Sequence, residues 1–265
     1  MMPIRCSATR AAPIRKPLMS APLAIVLAAG KGTRMKTDLP KVLAPVCGRP
    51  MIRYVIDALR EAGVERIVVV VGYRADLVRE ELAGEAGVTF VEQTEQLGTG
   101  HAVMVCRDEF ATATGPVVIV TGDSPMLQAT SIRALLDEFS NTKPSCLLGT
   151  AHRDDPTGLG RIVRNEQGDF LGIVEQKDAT PEQQAITEVN MSTYLFAADA
   201  LTESLGSLTT SNSQQEYYIT DCPGILKDQG KDVRALAALQ PCEALSVNNP
   251  DELRVVEEEM LKMRA

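Results

Sequence analysis

Two glycines and a group of cations follow the first apolar run of this chain, an arrangement suited to holding a phosphate. Residues 23–29 lead into Gly30-Lys31-Gly32-Thr33-Arg34-Met35, with Lys36 and Lys41 close behind. Glycines just past a strand let backbone N–H groups approach an anion and stabilise its charge. Two common phosphate loops do not fit. The dinucleotide fingerprint needs a third glycine where Met35 stands, and the Walker loop needs Ser or Thr where Gly32 follows Lys31. A Gly-x-Gly alone also makes an ordinary tight turn. A second candidate is Asp123, in Gly122-Asp123-Ser124-Pro125 just beyond the apolar run 117–120. That is the carboxyl end of a strand, where open α/β sheets bind ligands, although Gly-Asp-x-Pro also suits a plain turn.

The elements that must position these residues can be read from periodicity. Apolar runs of strand length recur at 23–29, 67–71, 88–91 and 117–120. Near-continuous Val, Ile and Leu without alternation marks parallel strands buried on both faces. Between the runs, Ile52, Val55, Ile56 and Leu59, and later Ile132, Leu135, Leu136 and Phe139, keep the i, i+3, i+4, i+7 spacing of a helix face. Strand–helix alternation predicts βαβ units in a Rossmann-like, doubly wound, mostly parallel sheet. The second half changes character. Residues 161–164 and 170–175 flank Asn165-Glu166-Gln167-Gly168, a hairpin signal. A long strand is expected over 188–197 and a helix over 216–229, interrupted early by Pro223. Asn249, Pro250 and Glu252 are placed to cap and open a final helix.

Composition narrows the function. The 265 residues fit one large α/β domain, and no apolar stretch approaches the length of a membrane span. Residues 1–37 carry seven Lys or Arg and no acid, whereas the rest holds 20 bases against 35 acids, a net of −15. An acidic body without Trp argues against a nucleic-acid polymer as partner, and the crowded cations near residue 31 suggest one local anion site. His101 and His152 are too few and too isolated for a zinc site built on His ligands. The six cysteines show no close pairing and read as free thiols in a reducing, cytoplasmic setting. Residues 1–22 read as a disordered extension preceding a domain over 23–265, with a cleaved targeting segment as the alternative.

The loop does not stand alone. Residues 27–35, Leu39-Pro40-Lys41, Gln93, Gln96-Leu97-Gly98-Thr99-Gly100-His101-Ala102, Gly122-Asp123, Asp155-Pro156-Thr157-Gly158, Gly160-Arg161, Glu175, the stretch 216–221 and Val247-Asn248-Asn249 form an ordered set. That set resembles the sugar-phosphate nucleotidyltransferases. Within them it is similar to the N-terminal uridyltransferase domain of the bacterial bifunctional N-acetylglucosamine-1-phosphate uridyltransferases/glucosamine-1-phosphate acetyltransferases.

The resemblance implies attack by a sugar 1-phosphate on the α-phosphorus of UTP, forming UDP-N-acetylglucosamine and pyrophosphate. It implies Arg34 and Lys41 as the catalytic cations, with Asp123 and Asn248 holding Mg²⁺. Asn249 already serves as the helix cap, which leaves Asn248 without that duty. Leu27, Ala28, Ala29, Gly30 and Gly122 would border the nucleotide. Gln93 would read uracil, helped by the backbone at Gly98 and Thr99, although a flipped amide serves cytosine equally well. His101 reads as a helix-start residue with no catalytic part. Gly160, Glu175 and Asn190 would hold the sugar. Two stretches, three residues in all, depart from the family pattern. Met191-Ser192 replaces Thr-Gly, and Leu159 replaces a frequent Tyr; both border the sugar pocket.

The bifunctional family continues into a β-helix of hexapeptide repeats, and no such repeat occurs in these residues. The expectation is therefore a uridyltransferase domain without the acetyltransferase β-helix, its oligomeric state undetermined. Two alternatives stay open: the same chemistry on another sugar phosphate such as glucose 1-phosphate, and a non-catalytic nucleotide-sugar sensor.

Overall fold

A computed structural model describes residues 21–32, 35, 38–212, 214–245, 247 and 249–264. The extension over 1–20, Arg34 and Asn248 lie outside the described residues.

The first half follows the expected alternation. Strands β1 (Leu23–Ala28), β4 (Arg66–Val71), β5 (Val88–Glu92) and β6 (Val117–Thr121) are mutually parallel, in the order β6-β1-β4-β5. Between β1 and β4 lie a small hairpin, β2 (Pro45–Val46) and β3 (Arg49–Pro50), and helix α1 (Met51–Glu61). Helices α2 (Ala75–Glu81), α3 (Thr99–Met104) and α4 (Arg107–Phe110) complete the crossovers, and α5 (Ala129–Thr142) follows β6. Burial on both faces explains the unbroken apolar runs. Along β1, Ala24, Val26 and Ala28 face the core under α1 and α5, whereas Leu23 and Ile25 face the core under α3 and α4. The run 88–91 differs. It forms the sheet edge and is only half buried, which is why Thr89 interrupts it.

The second half extends the same sheet. Strand β7 (Cys146–His152) is followed by the hairpin β8 (Arg161–Arg164) and β9 (Phe170–Val174), as the Asn-Glu-Gln-Gly signal predicts. After the short α6 (Pro181–Gln184), strand β10 (Glu188–Phe196) enters antiparallel between β6 and β7. Beyond α7 (Ala198–Gly206) and α8 (Cys222–Asp228), β11 (Val233–Leu236) pairs parallel with β7 and completes the order β11-β7-β10-β6-β1-β4-β5. Strand β10 carries a bulge between Asn190 and Thr193, with Ser192 at φ +50°.

The helix expected over 216–229 is shorter than the pattern suggested. Residues up to Tyr218 are extended, a 3-10 turn covers Ile219–Asp221, and α8 begins at Cys222. Pro223 sits in its first turn, where no N–H is needed, and so starts the helix instead of interrupting it. The final helix α9 (Pro250–Arg264) is capped as expected. Asn249 Oδ1 accepts from the N–H of Glu252, and Asn249 Nδ2 donates to the Glu252 carboxylate. Its Val256 and Met260 pack on Val46, Met51 and Met126.

Candidate active site

The carboxyl ends of β1 and β6 open into a cavity of about 260 Å³ lined by Leu27, Ala28, Ala29, Gly30, Lys41, Gln93, Gly98, Thr99, Thr121 and Asp123. Lys41 opens a 3-10 turn whose next two residues, Val42 and Leu43, are buried, so the turn is anchored under the cation. Gly32 fits over it at φ +64°, where a Cβ would sit 2.5 Å from that of Lys41. The ammonium of Lys41 ion-pairs with Asp123 Oδ2 across 82 residues of sequence, and both side chains are largely shielded. Gly122 lies beneath the cavity, its N–H donating to the Leu27 carbonyl.

One end of the cavity is lined by a buried amide and the loop it contacts. Gln93 follows β5 and is buried at 3 % exposure; its backbone N–H donates to Val71 O. Its Nε2 contacts the Gly98 carbonyl and His101 Nδ1. Gly98 has φ +105°, and a Cβ there would lie 2.4 Å from the Tyr217 carbonyl oxygen. That close approach reflects a clasp: Tyr217 N–H donates to Leu97 O, Gly100 N–H donates to Tyr217 O, and Thr99 Oγ1 accepts from Ile219 N–H. The Thr99 hydroxyl thus accepts one bond from the clasp and keeps its O–H to donate.

A second cavity, about 210 Å³, adjoins the first. Thr121 and Asp123 line both, and Leu159, Asn190, Met191, Ser192 and Glu243 complete it. Asn190 is nearly buried; its N–H donates to the Gly160 carbonyl and its Nδ2 donates to Tyr194 Oη. Glu175 Oε1 lies 3.4 Å from the place a Gly160 Cβ would occupy, and Asn190 Cβ 3.6 Å from it, so the three sugar-side candidates are neighbours, although of them only Asn190 lines this cavity. The Glu175 side chain itself faces a third cleft, with Lys177, Tyr218 and Asp221. Glu175 stays exposed, yet partial desolvation holds its carboxyl above the usual range while Lys177 pulls the other way. Asp221 is raised by the same cause. Glu243 is buried and raised by desolvation, against hydrogen bonds from Ser131 Oγ and the Gln128 and Gln240 N–H groups.

A larger cavity, about 930 Å³, lies among Pro116, Pro144 and Ala197, at the amino ends of β6 and β7, the opposite end of the strands from the first cavity. Among the described residues no cysteine lines the first two cavities. Cys47, Cys106, Cys146, Cys222 and Cys242 are free, and burial pushes the thiols of Cys106 and Cys222 up to about 12.

Comparison with known proteins gives the family. Residues 24–214 match the MobA-like NTP transferase domain. The chain belongs to that family. It is also 45 % identical over 237 residues to the bifunctional protein GlmU of Streptococcus gordonii, and 43 % identical over the same length to GlmU of Clostridioides difficile. Each match covers 89 % of this chain and 51 % of the relative, so the chain spans about half the length of the curated relatives it matches. Among solved structures, a Bacillus anthracis protein described as a glucose-1-phosphate thymidylyltransferase, in complex with sucrose, superposes with TM-score 0.73 at 19 % identity, over 90 % of this chain and 95 % of that one. A UDP-glucose pyrophosphorylase complexed with UDP-glucose gives TM-score 0.71 at 17 % identity, over 92 % and 100 %. At those identities the likeness establishes the nucleotidyltransferase fold, Rossmann-like and mostly parallel.

The donor set at the junction of the two cavities suits a hard cation. Among the described residues no three His, Cys, Asp or Glu side chains cluster tightly enough to hold a metal by themselves. Mg²⁺ asks for less, one or two protein oxygens with phosphate and water supplying the rest, and Asp123 offers such an oxygen where both ligands would meet. Thr121, two residues before Asp123, escaped the sequence reading. Its signal was period-2 geometry at a strand end, which sets i and i+2 on one side. Gln96 also lines the cavity; its Nε2 donates to Gln93 O.

Proposed function

We propose that this nucleotidyltransferase domain forms UDP-N-acetylglucosamine and pyrophosphate from UTP and N-acetylglucosamine 1-phosphate. The observation that carries the reading is the Lys41–Asp123 pair standing where a base-sized cavity meets a sugar-side cavity. An oxygen of the sugar 1-phosphate attacks the α-phosphorus of UTP, the bond from that phosphorus to the bridging oxygen breaks, and pyrophosphate leaves with the electron pair. Such a transfer needs position and charge neutralisation more than covalent chemistry. Lys41 supplies a mobile cation to the phosphates, and Arg34 from the adjoining loop forks onto their oxygens. Leu27, Ala28, Ala29 and Gly30 give the backbone wall along which the triphosphate lies, with Gly122 beneath. Gln93, Gly98 and Thr99 seat the uracil; Gly160, Glu175 and Asn190 seat the sugar. Mg²⁺ would be held by Asp123 with Asn248, and when bound it offsets the charge growing on the attacked phosphate.

The domain over 23–265 is sufficient for this step, and residues 1–22 are dispensable for it. The partners are these small molecules, and the free, buried thiols suit a cytoplasmic setting. Among the described residues no helix is long and apolar enough to cross a membrane. One observation favours a second reading, transfer to glucose 1-phosphate. Leu159 and Met191 both line the sugar-side cavity, where the family pattern has Tyr and Thr. Pyrophosphate release from UTP and Mg²⁺, measured across a panel of sugar 1-phosphates, tests both. Release only with N-acetylglucosamine 1-phosphate supports the first, release favouring glucose 1-phosphate supports the second, and none with any sugar overturns both.

A further inference from the structure

Both hydrogens of the Gln93 amide are committed inside the protein. Its Nε2 lies 3.1 Å from the Gly98 carbonyl oxygen and 3.1 Å from His101 Nδ1. A carbonyl oxygen can only accept, so the amide nitrogen must face Gly98; the reverse flip would set two oxygens against each other. With the nitrogen so placed, His101 can only accept, which leaves its own proton on Nε2. Oε1 is then the one uncommitted polar atom of the amide, without a partner among the described residues. The fully buried side-chain atoms lacking a partner there are the Nε atoms of Arg153 and Arg161, so Oε1 still opens onto the cavity. Gln93 presents an acceptor and no donor.

We propose that His101 is a positioning residue for pyrimidine choice: by holding the Gln93 amide in one orientation, it admits a base carrying N–H at ring position 3 and rejects one with a bare nitrogen there. This rests on the reading of Gln93 as the group that meets the base. Uracil directs N3–H at Oε1 and forms a hydrogen bond. Cytosine directs a lone pair at the same oxygen, and neither atom has a proton to share. An amide free to rotate would turn its NH₂ to cytosine and lose the distinction. Two features keep it from rotating. Gly98 is held between Leu97 and Gly100, both bonded to the Tyr217 backbone, which fixes the first acceptor. His101 sits in the first turn of α3 with its ring 6.5 Å from that of Tyr217, which fixes the second. His101 acts through Gln93 and needs no contact with the nucleotide.

The test uses the full chain. His101→Phe keeps a ring and deletes the acceptor, whereas His101→Asn can return an acceptor near the place of Nδ1. Initial rates with UTP and with CTP give the kcat/KM ratio, and calorimetry with UDP and CDP gives a binding ratio independent of turnover. We expect His101→Phe to lower both ratios by about 10–100-fold, the range of one misplaced hydrogen bond in a shielded site, mainly through KM for UTP. His101→Asn restores most of the loss. Should His101→Phe not fold, His101→Leu is read by the same ratios. Unchanged ratios in the folded His101 variants, with the preference lost in Gln93→Leu, overturn the positioning role and leave the reading of Gln93 standing. An unchanged ratio in Gln93→Leu overturns that reading and this inference together.

Discussion

Lys41 and Asp123 are each other's counter-ion across the mouth of the nucleotide cavity, one from the turn after β1 and one from the end of β6. The pairing keeps two opposite charges in place before any ligand arrives, and in the proposed reaction each would exchange its partner for a phosphate or for Mg²⁺. Asp123→Asn and Lys41→Met should therefore each lower kcat by two or more orders of magnitude, the effect of removing one electrostatic stabiliser from a transition state. Folding should change little, by about 1 kcal/mol, because the pair is partly exposed. Steady-state kinetics at saturating Mg²⁺ beside thermal melts separates the two effects. Near-normal turnover in Asp123→Asn would remove it from the site.

Ser192 holds φ +50° in the β10 bulge, a left-handed conformation that a side chain disfavours. Ser192→Gly should stabilise the fold by about 1 kcal/mol, raising Tm by about 2–4 °C for a domain of this size. A lower Tm would mean that the bulge depends on the serine side chain.

Glu188 joins β10 to the hairpin. Its carboxylate accepts from Arg164 Nε at 2.7 Å, Arg164 Nη2 at 2.6 Å and Thr150 Oγ1 at 2.5 Å. Burial pushes this carboxyl up, but the Arg164 and Thr150 hydrogen bonds outweigh it and hold it below the usual range. A lowered folded-state value gives stability that is present above the unfolded value and lost as pH falls through the folded one. Glu188→Gln should cost about 2 kcal/mol at neutral pH, about 4–8 °C in Tm. The gap from wild type should narrow as pH drops below the ordinary glutamate range. A gap independent of pH would assign the loss to packing.

Met191 is longer than Thr, lacks its hydroxyl, and lines the sugar-side cavity with Asn190. An acetyl methyl seated there would keep apolar contact with Met191 while losing the hydrogen bond that a threonine could make. We expect N-acetylglucosamine 1-phosphate to be preferred over glucose 1-phosphate by about 10–200-fold in kcat/KM, the worth of one such contact. Competition kinetics at equal concentrations measures it, and equal rates would show that Met191 and Leu159 have rebuilt the pocket.

The strands of the first half were legible because burial on both faces leaves unbroken apolar runs, as at 67–71. Gly30 and Asp123 could be singled out for a related reason, since each stands just past the end of an apolar strand, whereas Lys41, well beyond β1, came from resemblance and charge. What periodicity does not carry is the neighbour a strand chooses. The place of β10 between β6 and β7 depends on pairings across sequence gaps of tens of residues. The expected helix over 216–229 was too long because Tyr217 spends its backbone on Leu97 and Gly100, a distant clasp. His101 read as a mere helix-start residue, since its contact with Gln93 exists only once the loop between them has folded back.

The late arrival of β10 has a consequence for synthesis. Strands β5, β4, β1 and β6 are all available once Thr121 has left the ribosome, but β6 then presents an open apolar edge. Its eventual neighbour ends at Phe196, roughly 75 residues later, a delay of about 4–15 s at ordinary elongation rates. Strand β7 emerges during that interval and has no mate until β10 or β11 follows. An unpaired apolar edge is a template for association with other chains. A nascent chain stalled before residue 188 is thus far more prone to aggregate than the finished sheet, and this nucleotidyltransferase is most in need of a chaperone while Asp123 is already made.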